Sequence, residues 1–208
     1  FKKYPRNINK DIALLKKTKI QYLYLPTYKD IFTFKPKLSF ILNPFSKKLC
    51  GKFRPGHFKG VVNVVNRFLE IIKPSTIYLG VKDFQQLSLI KLHIINSKIK
   101  TDVVSCPTIR ENNGIALSSR NSKLYKEEKK IAGKIYQYLR ENKKYIFKMI
   151  LNNKKKKIIN EIKLFGIKRV DYLVSLNLNS LKNAKKMSEN YNIFIAYYFR
   201  KIRLIDNL

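Results

Sequence analysis

Apolar residues recur at intervals of three and four between residues 54 and 74. They are Phe58, Val61, Val62, Val65, Phe68, Leu69 and Ile72. This spacing predicts a helix that buries one broad face. Pro74 predicts where the helix ends, because proline has no backbone N–H to donate and clashes with the preceding turn.

Similar patterns predict further elements on both sides of this helix. They are a helix over 11–17, strands over 20–26 and 37–43, a strand over 77–79, a helix over 84–96 and a strand over 101–107. Helices that alternate with short strands predict parallel β-α-β units of the doubly wound kind. Ligands of such sheets bind at the carboxyl ends of the strands.

The pattern changes after Pro107. A polar stretch rich in Asn, Gly and Ser predicts a loop, and helices and strands follow it in separate groups. The predicted elements are a helix over 126–141, a shorter helix over 158–166, and strands over 168–176 and 192–206. We therefore predict an α/β fold with a doubly wound domain over 1–108 and a smaller C-terminal α+β domain over 109–208.

The net charge of +32 has two explanations that the sequence leaves open. Of the 45 basic residues, 36 are lysines and 9 are arginines, and most of them are scattered. Drift of the gene toward A and T would enrich lysine without any partner. The alternative is a basic surface for nucleic acid, which would bind phosphates non-specifically. A specific nucleic-acid surface would be expected to use more arginine.

The rare residue types narrow the function classes further. Cys50 and Cys106 are far apart and form no CxxC pair, and His57 and His93 are equally isolated. We therefore expect no metal site and two reduced thiols, as is typical of a cytoplasmic protein. No apolar run reaches the roughly 18 residues of a membrane span, so we expect no membrane insertion.

The stretch "GVKDFQQ" places charge directly after the strand predicted over 77–79. A glycine at Gly80 lets a ligand approach the backbone. Lys82 can neutralise a phosphate as a point charge, and Asp83 can accept hydrogen bonds from ribose hydroxyls. The alternative is an ordinary turn with a surface ion pair between these two side chains.

A second candidate lies in the polar loop, where "LSSRN" covers 117–121. The hydroxyls of Ser118 and Ser119 and the guanidinium of Arg120 could together hold a phosphate. The alternative is a polar loop between two domains.

Both stretches together resemble the pantoate–β-alanine ligase family. "GVKDFQQL" is followed some thirty residues later by "PTIRENNGIALSSRN", and "YPRNINKD", "RPGHFKGV" and "RLIDN" also fit the family in order. The resemblance covers essentially the whole chain. It implies a Rossmann-like nucleotidyltransferase domain, incomplete at its N-terminus, and a smaller C-terminal domain that closes over the site, usually in a homodimer.

The resemblance also implies a reaction and its site. Pantoate and ATP would form pantoyl adenylate and release pyrophosphate with Mg²⁺, after which β-alanine would displace AMP. The catalytic residues would be Lys82, Ser118, Ser119 and Arg120. The ATP site would comprise Gly80, Val81, Lys82, Asp83, Ile109, Leu117, Ser118, Ser119 and Arg120. Gln86 would bind pantoate, and no residue would be a metal ligand.

The sequence departs from the family pattern at several positions. Val81 stands where Glu or Gln is common, and Asn113 replaces an acid before the loop glycine. Tyr125 replaces the Ser or Thr that caps the long helix, although Glu128 keeps its partner position. Loss of such a cap would cost about 1 kcal/mol of helix stability.

The largest departure concerns the front of the family pattern, where a histidine signature binds the triphosphate. The chain starts downstream of that signature, and His57 belongs to a different motif. We therefore expect either a fragment or an inactive remnant. We also expect residues 1–208 alone to aggregate through exposed strand edges and to make no pantothenate.

Overall fold

The computed structural model describes residues 8–32 and 41–208. The chain divides into two compact units, residues 1–38 and residues 39–208, which are treated separately below. Residues 4–7 of the "YPRNINKD" segment and residues 37–40 of the strand predicted over 37–43 lie outside the described residues. Residues 41–43 are described and form no strand.

The described part of the first unit, residues 8–32, has two short helices, α1 (Ile8–Leu15) and α2 (Tyr28–Ile31). Helix α1 confirms the helical pattern at this place in the chain, with its start shifted toward the N-terminus. The strand predicted over 20–26 is wrong, because these residues run without regular structure and Tyr22 is 91% exposed. Thr27 caps α2: its Oγ1 accepts from the Asp30 N–H (3.3 Å), and Asp30 accepts from the Thr27 N–H (2.6 Å). Two N–H groups at the helix start are thereby satisfied.

The second unit begins with a 3₁₀ turn (Pro44–Lys47), helix α3 (Leu49–Phe53) and helix α4 (His57–Ile72). Helix α4 confirms the helix predicted from the spacing of apolar residues. It starts after Gly56, whose φ of 76° lies in the left-handed region that glycine adopts without strain.

A β-α-β unit follows. Strand β1 (Thr76–Gly80) leads through a 3₁₀ turn (Val81–Asp83) into helix α5 (Phe84–Asn96), which crosses over to strand β2 (Asp102–Cys106). The strands pair in parallel, from Thr76 opposite Asp102 to Gly80 opposite Cys106. The predicted parallel unit is thus confirmed.

The loop over residues 107–125 contains one 3₁₀ turn (Ser119–Lys123) and leads into three helices. Helix α6 (Lys126–Glu141) has the predicted bounds, and α8 (Lys155–Lys163) overlaps the shorter predicted helix. Helix α7 (Lys143–Leu151) was not predicted from the sequence. It buries Ile146 and Phe147 completely.

An antiparallel sheet closes the fold, with strands β3 (Arg169–Asn177), β4 (Tyr191–Phe199) and β5 (Ile202–Asn207) in that order. The single strand predicted over 192–206 is therefore a hairpin. Its turn lies at Arg200, which adopts a φ of 50°. The registers place Phe199 opposite Ile202 and Ala196 opposite Ile205.

The antiparallel sheet lies between two hydrophobic clusters. Because side chains alternate along a strand, one face of the sheet packs on α6, α7 and α8, and the other face packs on α3, α4 and α5. The first cluster includes Ile135, Leu139, Ile146, Ile158, Leu173, Ile195 and Leu204. The second includes Phe58, Val62, Leu89, Ile90, Leu176 and Phe194. Each fully buried side chain of this kind contributes about 1.5–3 kcal/mol.

The predicted fold class is confirmed: a parallel β-α-β part is joined to a C-terminal part with an antiparallel sheet. The boundary near residue 108 stays a prediction. Within the described residues, no helix has the length and apolar character needed to cross a membrane.

Candidate active site

The short 3₁₀ turn after β1, residues Val81–Asp83, is called the Lys82 turn below. Gly80 ends the strand, so the turn lies at the carboxyl end of the parallel pair. Lys82 Nζ lies 3.7 Å from Asp83 Oδ2, and the two side chains are 17% and 53% exposed. Lys82 is therefore largely covered, and it forms the ion pair with Asp83 that the alternative of an ordinary turn expects.

The loop over residues 107–125, called the Ser118 loop below, is fixed mainly by Arg110. Its Nη1 and Nη2 donate to the two carboxylate oxygens of Asp206 at 2.7 and 2.8 Å. Its Nη1 also donates to the Gly114 carbonyl at 3.0 Å, and its guanidinium lies 3.8 Å from the centre of the Tyr136 ring. Burial alone would lower the pKa of Arg110, but the hydrogen bond and charge of Asp206 outweigh it and raise that pKa.

The Ser118 loop is also braced from within. Asn121 is 4% exposed, and its Nδ2 donates to Glu111 Oε1 (2.9 Å) and to the Ala116 carbonyl (3.1 Å). Ser118 Oγ accepts from the Arg120 N–H at 3.3 Å and so caps the 3₁₀ turn. These bonds hold the hydroxyl of Ser118 and the backbone of Arg120 in one local arrangement.

Helix α6 supports this loop through a close backbone approach at Gly133. A Cβ atom at this position would lie 2.3 Å from the Asn113 carbonyl oxygen. Asn113 itself accepts from the Ile115 N–H at 3.1 Å and donates to the Lys129 carbonyl at 3.2 Å. An acid at position 113 could make only the first of these bonds when ionised, so the amide suits this site.

The Lys82 turn and the Ser118 loop line one small cavity of about 10 Å³, which is partly open to solvent. The polar lining comprises Lys82, Ser118, Arg120, Asn121, Tyr197 and Asp206. The two stretches singled out in the sequence, although far apart in the chain, therefore meet in space. The cavity combines two cationic groups with a hydroxyl, which is a suitable lining for a phosphate.

The other predicted site residues are not among those that line this cavity. Ser119 opens the 3₁₀ turn of the Ser118 loop, and Gly80, Val81 and Asp83 adjoin Lys82. Ile109 and Leu117 are 66% and 51% exposed. Gln86 is half-buried in the first turn of α5. The binding roles of these residues stay predictions.

Several residues of the site were assigned no role from the sequence. Burial lowers the pKa of His57, and the nearby charges of Arg54 and Arg120 lower it further, while Asp83 opposes them. The segment between α3 and α4 thus adds one cationic group, Arg54, near Arg120. "RPGHFKGV" was a signal for it, since the segment was part of the resemblance.

The end of β5 supplies two more residues, Asp206 and Asn207. Asp206 pairs with Arg110, as described above. Asn207 Nδ2 donates to the carbonyls of Val81 (2.9 Å) and Lys82 (3.1 Å). "RLIDN" was the sequence signal for both, although spacing alone gave no reason to pair them with residues about a hundred positions away.

Among residues 8–32 and 41–208, no group of three His, Cys, Asp or Glu side chains comes together that could hold a metal ion. Both Cys50 and Cys106 are free thiols.

The family model described as pantoate-beta-alanine ligase matches residues 1–208. The pantothenate synthetase of Sulfurihydrogenibium sp. (strain YO3AOP1) is 35% identical over 213 residues, an alignment that covers 100% of this chain and 75% of the relative.

Solved structures of this family are also similar to the chain. The pantothenate synthetase of Thermus thermophilus superposes with a TM-score of 0.86 at 29% identity, over 99% of this chain and 75% of that one. The pantoate-beta-alanine ligase of Francisella tularensis, complexed with beta-gamma ATP and beta-alanine, gives a TM-score of 0.76 at 35% identity. That match covers 99% of this chain and 70% of the Francisella chain.

Proposed function

Because the chain belongs to the pantoate–β-alanine ligase family and is an enzyme that joins pantoate to β-alanine, we propose that it does so through a pantoyl adenylate. The pantoate carboxylate attacks the α-phosphate of ATP, and pyrophosphate leaves. The β-alanine amine then attacks the acyl carbon, and AMP leaves. The observation that carries the proposal is the cavity that Lys82, Ser118 and Arg120 line together.

The first step concentrates negative charge at the α-phosphate, and the site's task is to position and neutralise that charge. Lys82 and Arg120 supply the positive charge. Ser118 Oγ accepts from the Arg120 N–H, and its own hydrogen can be donated to a phosphate oxygen. Ser119 assists from the start of the same 3₁₀ turn.

The remaining predicted residues receive roles that match their surroundings. Asp83 is 53% exposed beside Lys82 and accepts from the ribose hydroxyls. Gly80, Val81, Ile109 and Leu117 complete the ATP site, with the backbone of Ile109 facing the adenine. Gln86, in the first turn of α5, binds pantoate.

The carboxylate of Asp206 also lines the cavity, and an unpaired negative charge there would repel the phosphates of ATP. Its two oxygens are both bound by Arg110, and the side chains of the pair are only 17% and 11% exposed. Arg110 thereby cancels the charge of Asp206. Lys82 shares its charge with Asp83 at 3.7 Å, and the positive charge of Arg120 adds to it, so the cavity attracts ATP rather than repelling it.

Mg²⁺ enters this proposal as the companion of the ATP phosphates. The described residues gather no group of three possible acidic, His or Cys ligands, so we assign the ion no protein ligand and no step. We further propose a homodimer in which residues 109–208 close over residues 1–108, as the resemblance implies. The free thiols of Cys50 and Cys106 support a cytoplasmic location.

The competing hypothesis of a specific nucleic-acid surface would use arginines gathered on one face. Five arginines are instead paired with carboxylates of the fold: Arg67, Arg110, Arg169, Arg200 and Arg203. Each of these guanidinium groups has a carboxylate partner within the fold, those of Arg169 and Arg200 at the surface, and we do not propose nucleic-acid binding.

The test is Lys82→Ala in the full-length enzyme, measured by pantoate-dependent exchange between ATP and pyrophosphate. Loss of one charge-stabilising donor costs roughly 3 kcal/mol, so we expect about a hundredfold lower exchange rate. Lys91→Ala, on the exposed side of α5, is the matched control and should exchange at the parental rate. Exchange by Lys82→Ala within a few-fold of the parent would exclude Lys82 from the step.

A further inference from the structure

Asn207 is the last residue of β5, and it is 6% exposed. Its Nδ2 donates to two consecutive carbonyls of the Lys82 turn, Val81 at 2.9 Å and Lys82 at 3.1 Å. A carbonyl oxygen can only accept, so the side chain at this position must present a donor to both. An amide nitrogen with two hydrogens meets that demand.

The orientation of this amide is fixed from its other end. Asn207 Oδ1 accepts from Asn192 Nδ2 at 3.1 Å, and Asn192 Oδ1 accepts from Lys143 Nζ at 3.3 Å. An ammonium group can only donate, just as the carbonyls can only accept. The direction of every bond between Lys143 and the turn is therefore determined, and neither amide can flip without breaking a bond.

The Lys82 turn begins directly after the last residue pair of the parallel sheet. The ladder between β1 and β2 ends at Gly80 opposite Cys106, and the turn follows at once. The Asn207 bonds reach this backbone from a different sheet, more than 120 residues along the chain. They fix the peptide units on both sides of the Lys82 Cα atom.

We propose that Asn207 is a positioning residue that holds Lys82 in place for the phosphates of ATP. The inference rests on the proposed function, since it needs Lys82 to act on ATP. A displacement of about 1 Å at a reacting group can cost a hundredfold in rate. Asn207 does not line the cavity with Lys82, Ser118 and Arg120, so it acts through the turn and not on the substrate.

The test is Asn207→Asp in the full-length enzyme. Aspartate has the same shape and can still accept from Asn192, but it presents an oxygen where the two carbonyls need a donor. We expect pantoate-dependent exchange between ATP and pyrophosphate to fall at least tenfold. In a Lys82→Ala background the same substitution should lower the residual exchange by less than threefold, because its effect passes through the Lys82 side chain.

Asn177→Asp is the matched control. This substitution also removes a donor, because Asn177 Nδ2 donates to Glu189 at 2.7 Å. Asn177 Oδ1 accepts from the N–H groups of Asn179 and Ser180, and an aspartate oxygen can do the same. We expect this variant to unfold at a lower temperature and to exchange at the parental rate. If Asn207→Asp does not fold, Asn207→Ser takes its place, because a shorter hydroxyl cannot donate to both carbonyls.

Two results would overturn the inference. One is exchange within threefold of the parent by the folded Asn207 variant. The other is an Asn207 variant that lowers the exchange rate by the same factor in the Lys82→Ala background as in the parent, as a general structural defect would. The proposed function fails separately, and only if Lys82→Ala itself exchanges at a near-parental rate.

Discussion

The Lys82 turn and the Ser118 loop face the same cavity, and the structure holds them in different ways. The turn has three residues between a strand and a helix, and one neutral side chain, Asn207, fixes its carbonyls. The loop spans residues 107–125 and depends on the Arg110–Asp206 pair, on the buried Asn121 and on the close approach at Gly133. A long loop loses more conformational entropy on ordering than a short turn, so it needs more numerous and stronger anchors.

Among substitutions that test how the turn and the loop are held, Arg110→Ala should have the largest effect. It leaves the carboxylate of Asp206, whose side chain is 11% exposed, without its partner. Breaking a buried pair in this way costs about 3 kcal/mol, and we expect the free energy of unfolding to fall by that amount. ATP should also bind more weakly, because an uncancelled negative charge then faces the cavity.

Chemical denaturation and ATP titration measure both effects. The double variant Arg110→Ala/Asp206→Asn should recover part of the loss, since it removes the stranded charge. If Arg110→Ala is as stable as the parent and binds ATP equally well, the charged pair does not hold the loop.

A smaller effect is expected from Gly133→Ala. The added Cβ would lie 2.3 Å from the Asn113 carbonyl, so the loop must shift, at a cost of about 2 kcal/mol. Better helix propensity returns about 1 kcal/mol. Urea denaturation should therefore show a net loss of stability, accompanied by slower pyrophosphate exchange.

Gly60→Ala is the matched control for this substitution. Gly60 lies in α4, and no atom would lie within 4 Å of its added Cβ. We expect Gly60→Ala to raise the free energy of unfolding by up to about 1 kcal/mol. Opposite signs for the two glycines are required, and equal signs would contradict the close approach.

The smallest expected effect is on the pH dependence of the unfolding free energy, and it involves His93. His93, in the helix that begins at the Lys82 turn, is 7% exposed and contacts Asn66 Oδ1 at 2.7 Å and Ser97 Oγ at 3.3 Å. Glu70 accepts from Asn66 Nδ2, which directs Asn66 Oδ1 toward His93 Nε2. Burial lowers the pKa of His93, and the charge of Glu70 opposes this only in part.

The folded state therefore binds the His93 proton more weakly than the unfolded state does. Its contribution to stability is complete above the ordinary histidine pKa and is lost as the pH falls toward the lowered, folded pKa. One such proton gives a slope of at most about 1.4 kcal/mol per pH unit. His93→Gln should flatten the fall in unfolding free energy between pH 7 and 5, with a residual slope of the same sign from His57. An unchanged slope would contradict the assignment.

Local sequence patterns correctly predicted helix α4, strand β1 and the place of Lys82 after that strand. The spacing of apolar residues gave α4, and a strand that ends in glycine and charge gave the carboxyl end of β1 with Lys82 after it. These features depend on neighbours in the sequence. The strand predicted over 20–26 failed for the complementary reason: its residues favour a strand, but a strand forms only when another strand pairs with it.

The anchors of the site could not be predicted from spacing. Arg110 meets Asp206, and Lys82 meets Asn207, across 96 and 125 positions. The Tyr125 cap shows the same limit, since its expected cost ignored Arg200. The Arg200 guanidinium lies 3.9 Å from the centre of the Tyr125 ring and pairs with Glu128, which itself accepts from the Tyr125 N–H.

The arginine pairs have a consequence for how this gene can change. Arg110 and Arg200 each use two nitrogens to hold both oxygens of one carboxylate, which the single ammonium group of a lysine cannot do. In a chain with 36 lysines and 9 arginines, an exchange of arginine for lysine is harmless at most surface positions. At these two it would remove one bond of each pair. Under a drift of the gene toward A and T, selection would therefore have to keep the arginine codons at these two positions.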